Sequence, residues 1–286
     1  MKRFTSKLLL IPMLAVGLAA AGCTSSAGTG GGGGGGTTDQ SAGSTTPATS
    51  QLTKVEKSGT LRVAVLPDFP PSAVQKPNGE FAGYEIDIAK DLAEQMGVKL
   101  QLVPTNGDSR LPLLQSNRVD VNISSWTATN ERALSVGFTI PYVAHGAGVI
   151  YDKNNPISSL ADLAGKKVSV ARGSTNDTIM TTQYPKTDVV RFDTIADALA
   201  ALKAGKVDAA VESYETVNDL AKQDPSQLAV LDVPPISPSI VSMGVLPGDQ
   251  VWINYLNNYI RNLITSGTDN KLYEKWFHRP LPSVIG

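Results

Sequence analysis

The sequence predicts an α/β fold of two like lobes, each a parallel sheet covered by helices. Three observations predict it. Short β-branched runs alternate with amphipathic helical ones, the pattern of βαβ units. The segment Asn117-Arg118-Val119-Asp120-Val121-Asn122-Ile123-Ser124 is echoed by Gly205-Lys206-Val207-Asp208-Ala209-Ala210-Val211-Glu212. Each copy follows a helix and, further upstream, a short strand with a basic residue at its start (Arg62; Lys166 and Lys167). The chain has 286 residues, room for two compact units at roughly 100–200 residues apiece.

The elements follow in order. Residues 1–22 read as an export signal: Lys2, Arg3 and Lys7 precede an apolar run from Leu8 to Ala19. That run is short of the ~20 apolar residues a membrane span needs. Ala20-Ala21-Gly22-Cys23 resembles a bacterial lipobox, which implies cleavage before Cys23 and lipid on that cysteine. Residues 23–52, with seven consecutive glycines, have too little to bury to offset ordering entropy and read as a flexible tether. A strand is expected over 61–65, and a helix over 85–96 with Ile88, Ala89, Leu92, Ala93 and Met96 on one face and Gly97 as its stop. Next come a strand over 98–103, a short helix over 111–116 with Pro112 in its first turn, and a strand over 119–124. A strand over 168–171, a helix start at Ser174/Thr175, a helix over 194–204 ended by Gly205 and a strand over 207–211 repeat the scheme.

Composition narrows the function. Lysine and arginine number 25 against 26 acids, so there is no basic footprint for nucleic acid, and none is expected as a partner. One cysteine and two histidines exclude a disulfide framework and a Cys/His zinc site. No phosphate loop, dinucleotide fingerprint or nucleophile elbow occurs. His145 and His278 stand in unlike contexts, and Glu212 and Glu215 read as solvated surface acids. The expectation is therefore no enzyme, no cofactor and no metal.

In open parallel sheets, ligands sit beyond the carboxyl ends of the strands. Four loops follow those ends: Asp68-Phe69-Pro70-Pro71, Ser124 to Arg132, Arg172 to Asp177, and Glu212-Ser213-Tyr214-Glu215. They offer hydroxyls, aromatics, arginines and a helix start, equipment for holding an anionic or zwitterionic small molecule.

Asp68-Phe69-Pro70-Pro71, Gly83-Tyr84-Glu85-Ile86-Asp87-Ile88-Ala89, and Val119-Asp120 through Thr127, Thr129 and Glu131-Arg132 occur in that order. Pro141-Tyr142, Gly165-Lys166-Lys167-Val168, Gly173-Ser174-Thr175 and Tyr273-Glu274-Lys275-Trp276-Phe277 continue the series. Over about residues 58–279 the chain thereby resembles family 3 of the bacterial extracellular solute-binding proteins, the polar amino-acid-binding proteins of ABC importers. The resemblance implies a type II periplasmic-binding-protein-like fold, with two parallel-type sheets, flanking helices and a two-crossing hinge. Lobe 1 would comprise 53–148 and 243–286 and lobe 2 149–242, with crossings near Gly146–Ile150 and Val241–Val245.

The same resemblance implies that Arg132 clamps the ligand's α-carboxylate, aided by Ser125, Thr127, Ser174 and Thr175, since a planar guanidinium matches a carboxylate in two parallel hydrogen bonds. Phe69 would form an aromatic wall, and Tyr84 and Trp126 belong to the candidate set. Ser213 stands where the family usually places an aspartate for the α-amino group. Strand alternation is expected to turn Glu212 the other way. Leu66 replaces an acid that basic-ligand members carry, which disfavours lysine, arginine and histidine. Arg110 falls where acidic-amino-acid binders contact a second carboxylate. The expected protein is thus a monomeric, lipid-tethered receptor in the cell envelope, at the outer face of the cytoplasmic membrane or in the periplasm. It would deliver a polar amino acid, acidic or neutral, to an ABC permease. The alternatives are a receptor for a carboxylate without an amino group, which would explain Ser213, and a dehydratase of the phenylalanine route on the same fold.

Overall fold

The computed structural model describes residues 50–282. The export signal, Cys23 and the tether up to residue 49 lie outside the described residues. The folded unit starts slightly earlier than expected, because Ser50 caps helix α1 (Gln51–Ser58), its hydroxyl accepting from the Leu52 N–H. Residues 51 and 52 thus belong to a helix.

Strand β1 (Thr60–Val65) leads to a small antiparallel sheet of β2 (Asp68–Phe69), β3 (Ala73–Gln75) and β4 (Phe81–Ala82), which no periodicity announced. Helix α2 (Tyr84–Gln95) follows and turns Ile88, Ala89, Leu92 and Ala93 into the core, with Gly97 in the left-handed conformation just past its end. Next come β5 (Lys99–Pro104), α3 (Arg110–Gln115) and a short β6 (Val121–Asn122). The long β7 (Gly137–Asp152) carries the chain out of lobe 1.

Lobe 2 contains β8 (Lys167–Ala171), α4 (Thr175–Gln183), β9 (Asp188–Phe192), α5 (Ile195–Lys203), β10 (Ala209–Ser213), α6 (Tyr214–Gln223) and β11 (Leu228–Val230). Strand β12 (Ile236–Val245) returns to lobe 1, which α7 (Gln250–Thr265) and α8 (Thr268–Phe277) complete.

Both expected parallel sets are present: β5-β1-β6 in lobe 1 and β10-β8-β9 in lobe 2. They are not separate sheets. The antiparallel pair β12 and β7 joins them into one hydrogen-bonded path, β5-β1-β6-β12-β7-β10-β8-β9. Tyr142, Val143, Val241, Met243 and Val245 pack in the lobe 1 core with Leu61, Ile86 and Trp252. Ala147, Val149 and Ile236 pack in lobe 2 with Val168, Val170 and Val211. The crossings therefore fall at 144–146 and 237–240, a few residues before the positions expected at Gly146–Ile150 and Val241–Val245. The second crossing is irregular: the pairing register shifts between Ile236 and Ser239, and Ser237 takes φ +46°.

Candidate functional site

The carboxyl ends of both parallel sets open onto one cleft between the lobes, with about 560 Å³ of open space including its mouth. Phe69, Arg110, Ser125 and Thr127 line it from lobe 1, and Ser174, Thr175 and Ser213 from lobe 2. The lobes touch around it. The Ala196 N–H donates to the Asp68 carboxylate (3.0 Å), the Thr216 hydroxyl to the Pro70 carbonyl (3.2 Å), and Leu66 and Phe69 pack against Ala171 and Ile195.

Ser125 owes its place to a buried acid. Glu85, at the second position of α2, accepts through Oε1 from the Ser125 N–H (2.7 Å), its hydroxyl (3.0 Å) and the Tyr142 hydroxyl (2.5 Å). These bonds hold Ser125 at φ +49°, a conformation L residues rarely adopt. In lobe 2, Ser174 and Ser213 are the caps of α4 and α6, accepting from the Asp177 and Thr216 N–H groups respectively. The Ser213 hydroxyl also donates to the Thr216 hydroxyl at 2.8 Å, so it is committed to its own helix.

The two arginines sit differently. Arg110 is buried in the cleft wall over the Trp126 ring, Nε donating to the Ser124 hydroxyl (3.1 Å) and Nη2 to the Ser124 carbonyl (2.7 Å). Its Nη1 has no hydrogen-bond partner among the described residues. Burial, with Arg132 nearby, lowers its pKa to about 10, which leaves it charged at neutral pH. Arg132 stands at the rim rather than in the cavity wall. Its Nη1 donates to the Thr127 carbonyl and the Thr175 hydroxyl, and its Nη2 to the Gly173 carbonyl, all at 3.0 Å, so it spans both lobes. Burial shifts its pKa downward. Neither guanidinium has a carboxylate partner within ion-pair distance among the described residues.

Three expectations need correction. Tyr84 does not reach the cleft: it is fully buried against Tyr142, Tyr273 and Phe277, and its hydroxyl donates to Asp269 at 2.6 Å. Trp126 is also core, packed edge-on against Phe138 and serving as the floor beneath Arg110. Glu212 does face the cleft, because strict alternation ends where β10 turns into the cap of α6. Arg191, exposed on β9, donates from Nε to Asp177, in the first turn of α4, at 2.9 Å.

Leu66, read from the sequence as a specificity position, lines the cleft, and so do residues that sequence reasoning missed: His145 on the first crossing, Asn176 and Ile179 on α4, Ile195 on α5, and Ser237 and Ser239 on the second crossing. Asn176 directly follows the Ser174/Thr175 helix start and was within reach; the crossing residues gave no signal. Near the cleft, Glu215 pairs with Arg279 and lies 3.5 Å from His145 Nδ1. Burial pushes Glu215 up, but His145 and Arg279 outweigh it and hold its carboxyl below the usual range.

Known proteins share this arrangement. The family model described as bacterial extracellular solute-binding proteins, family 3, matches residues 61–279. The L-cystine-binding protein TcyJ of Escherichia coli (strain K12) is 31% identical over 228 residues, 79% of this chain and 85% of its own. The glutamine-binding protein of Geobacillus stearothermophilus is 35% identical over 224 residues, 77% of this chain and 84% of its own. Among solved structures, the ancestral amino acid-binding protein AncCDT-1, a precursor of cyclohexadienyl dehydratase, superposes with a TM-score of 0.75 at 34% identity. It covers 80% of this chain and 100% of its own. Two parallel sheet halves joined by two crossings, a cleft at their strand ends and a match running through both lobes lead to one conclusion: the chain belongs to the bacterial extracellular solute-binding proteins, family 3.

Proposed function

We propose that this protein is the substrate-binding lipoprotein of an ABC importer and captures a polar amino acid, acidic or neutral, by closing its two lobes. One observation carries the reading: two guanidiniums without carboxylate partners among the described residues border a cleft whose lining, among those residues, contains a single acid, Glu212. A desolvated cation gains most from an anion that arrives with the ligand. Arg132 at the rim suits an α-carboxylate, with the hydroxyls of Ser125, Thr127 and Thr175 around it. Arg110, deeper and with Nη1 free, suits a second carboxylate or an amide oxygen. A cationic side chain would meet Arg110 and the apolar Leu66. The cystine- and glutamine-binding relatives support an amino acid as the ligand. Cys23 would anchor the chain at the outer face of the membrane, a reading that rests on the sequence alone.

A thermal-shift panel of the twenty amino acids and small organic acids tests this. A ligand at a hundred times its Kd adds about 2.7 kcal/mol of stability, a clear rise in Tm. Glutamate, aspartate, glutamine or another polar amino acid should give the largest shift and be recovered chemically unchanged. A larger shift with lysine or arginine overturns the reading.

Closure supplies a second prediction. A Cβ at Gly107, in the lobe 1 loop before α3, would collide with the carbonyl oxygen of Arg172 in lobe 2. Gly107→Ala should fold normally but hold the lobes apart, lowering affinity for the best ligand of the panel about tenfold or more. Unchanged affinity by calorimetry would show that this contact is not part of closure.

A further inference from the structure

We infer that Glu212 is the acceptor for the ligand's ammonium group, and therefore the residue that makes the cleft choose an α-amino acid over the same carboxylate without an amino group. The inference rests on the amino-acid reading above and assigns a residue to its third pole.

Among the described residues Glu212 is the only carboxylate in the cleft lining, and it is 7% exposed. Its Oε1 is pinned by two donors, the Ser213 N–H at 2.8 Å and the Asn176 amide at 3.2 Å. Its Oε2 has no hydrogen-bond partner among the described residues. The carboxylate is thus oriented by one oxygen and offers the other. Its rivals are occupied: the Ser213 hydroxyl caps α6, and Asp68 accepts from the Ala196 backbone. An alkylammonium supplies the donors and the positive charge that a buried, half-satisfied carboxylate lacks. With Arg132 and Arg110, the cleft then has two cationic poles and one anionic pole, the charge pattern complementary to an acidic amino acid.

The environment of Glu212 gives this a titration signature. The charged and titratable groups facing it are Asp68 from β2, His145 from β7 and Arg110 from α3, with Asn176 from α4 as its neutral partner. Burial raises its pKa to about 7 and Asp68 adds to the rise, while the Ser213 N–H, His145 and Arg110 act against it. An ammonium binds the ionised carboxylate, so binding releases a proton wherever Glu212 was protonated beforehand. Affinity for an amino acid should climb with pH up to about 7 and level off above it. Each unit below costs up to about tenfold.

The test is calorimetry on the full chain between pH 5.5 and 8.5. The probes are L-glutamate, L-aspartate and L-glutamine, each set against its analogue without the amino group: glutarate, succinate and glutaramate. The best amino acid should bind about a hundredfold tighter than its analogue at pH 7.5. Glu212→Gln should remove most of that preference, flatten the pH dependence of the amino acid, and leave the analogue's affinity within about threefold. Glu212→Asp, which keeps the charge, should restore part of the preference, a result a merely structural role would not give. Equal binding of amino acid and analogue by the wild type, or equal weakening of both in Glu212→Gln, overturns the inference and leaves the receptor reading standing. Binding of the analogues alone, or of none of the six together with no shift from any other amino acid in the thermal panel, overturns the inference and the amino-acid reading together.

Discussion

Arg132→Ala is expected to weaken ligand binding by about thirty-fold to several thousand-fold. Removing one partner of a desolvated, hydrogen-bonded charge pair costs about 2–5 kcal/mol, and each 1.4 kcal/mol is roughly tenfold in affinity. Two losses combine here. In the proposed site the ligand's α-carboxylate would lose a cation at the rim of the cleft, and the lobes would lose the bonds from Arg132 to the Thr175 hydroxyl and the Gly173 carbonyl. Arg132→Lys should recover only part, because an ammonium supplies charge without the planar fork that spans Thr127, Thr175 and Gly173. The fold should survive, since the guanidinium lies at the cleft edge and not in either core. Arg191 is unsuitable as a control because it holds Asp177 on α4. Arg261 on α7 is exposed, and Arg261→Ala removes the same charge away from the cleft, so it should change affinity little. Near-normal calorimetric binding by a folded Arg132→Ala protein would remove Arg132 from the site.

The distribution of what was legible follows from local and non-local signals. Parallel strands and their helices repeat a local pattern, so the alternation, the echo between 117–124 and 205–212 and the loops that meet at the cleft could all be read from the chain. Phe69, Ser125, Thr127, Ser174 and Thr175 lie at strand ends, where the rule for open sheets sends ligands. Tyr84 and Trp126 misled because a shared run of residues does not separate ligand contacts from core: one fills lobe 1, the other supports Arg110. Glu212 was hidden by a correct rule applied one residue too far, at the point where a strand becomes a helix cap. The crossings, placed by the resemblance alone, were set a few residues late, and Pro141, Gly146 and Gly148 interrupt any strand signal in β7 that would have fixed them. Its 16 residues are one strand only by virtue of partners distant in sequence, β12 on one side and β10 on the other. His145, Ser237 and Ser239 reach the cleft through that same long-range pairing.

Glu85→Ala is expected to be the most damaging single change to the lobe 1 half of the site. Glu85 is completely buried, and its Oε1 serves three donors: the Ser125 N–H, the Ser125 hydroxyl and the Tyr142 hydroxyl. Removing the carboxylate leaves all three without their acceptor in a water-poor interior, where each unsatisfied group costs about 1–3 kcal/mol. With some relaxation the total should reach about 3–5 kcal/mol. At about 2–4 °C per kcal/mol for a domain of this size, Tm should fall by roughly 6–20 °C. Function should fall with it, because Glu85 is the acceptor of both Ser125 hydrogen bonds among the described residues, and a relaxed Ser125 would withdraw its hydroxyl from the cleft. Glu85→Gln separates the two effects. Oε2 has no hydrogen-bond partner among the described residues, so an amide nitrogen can take that place while the carbonyl oxygen keeps the three donors. That variant should regain most of the lost stability, and a ligand affinity nearer wild type than that of Glu85→Ala. Thermal melts and calorimetry on both variants check this. An Ala variant as stable as wild type would mean that the three bonds are dispensable, and that Ser125 is set by the loop and not by Glu85.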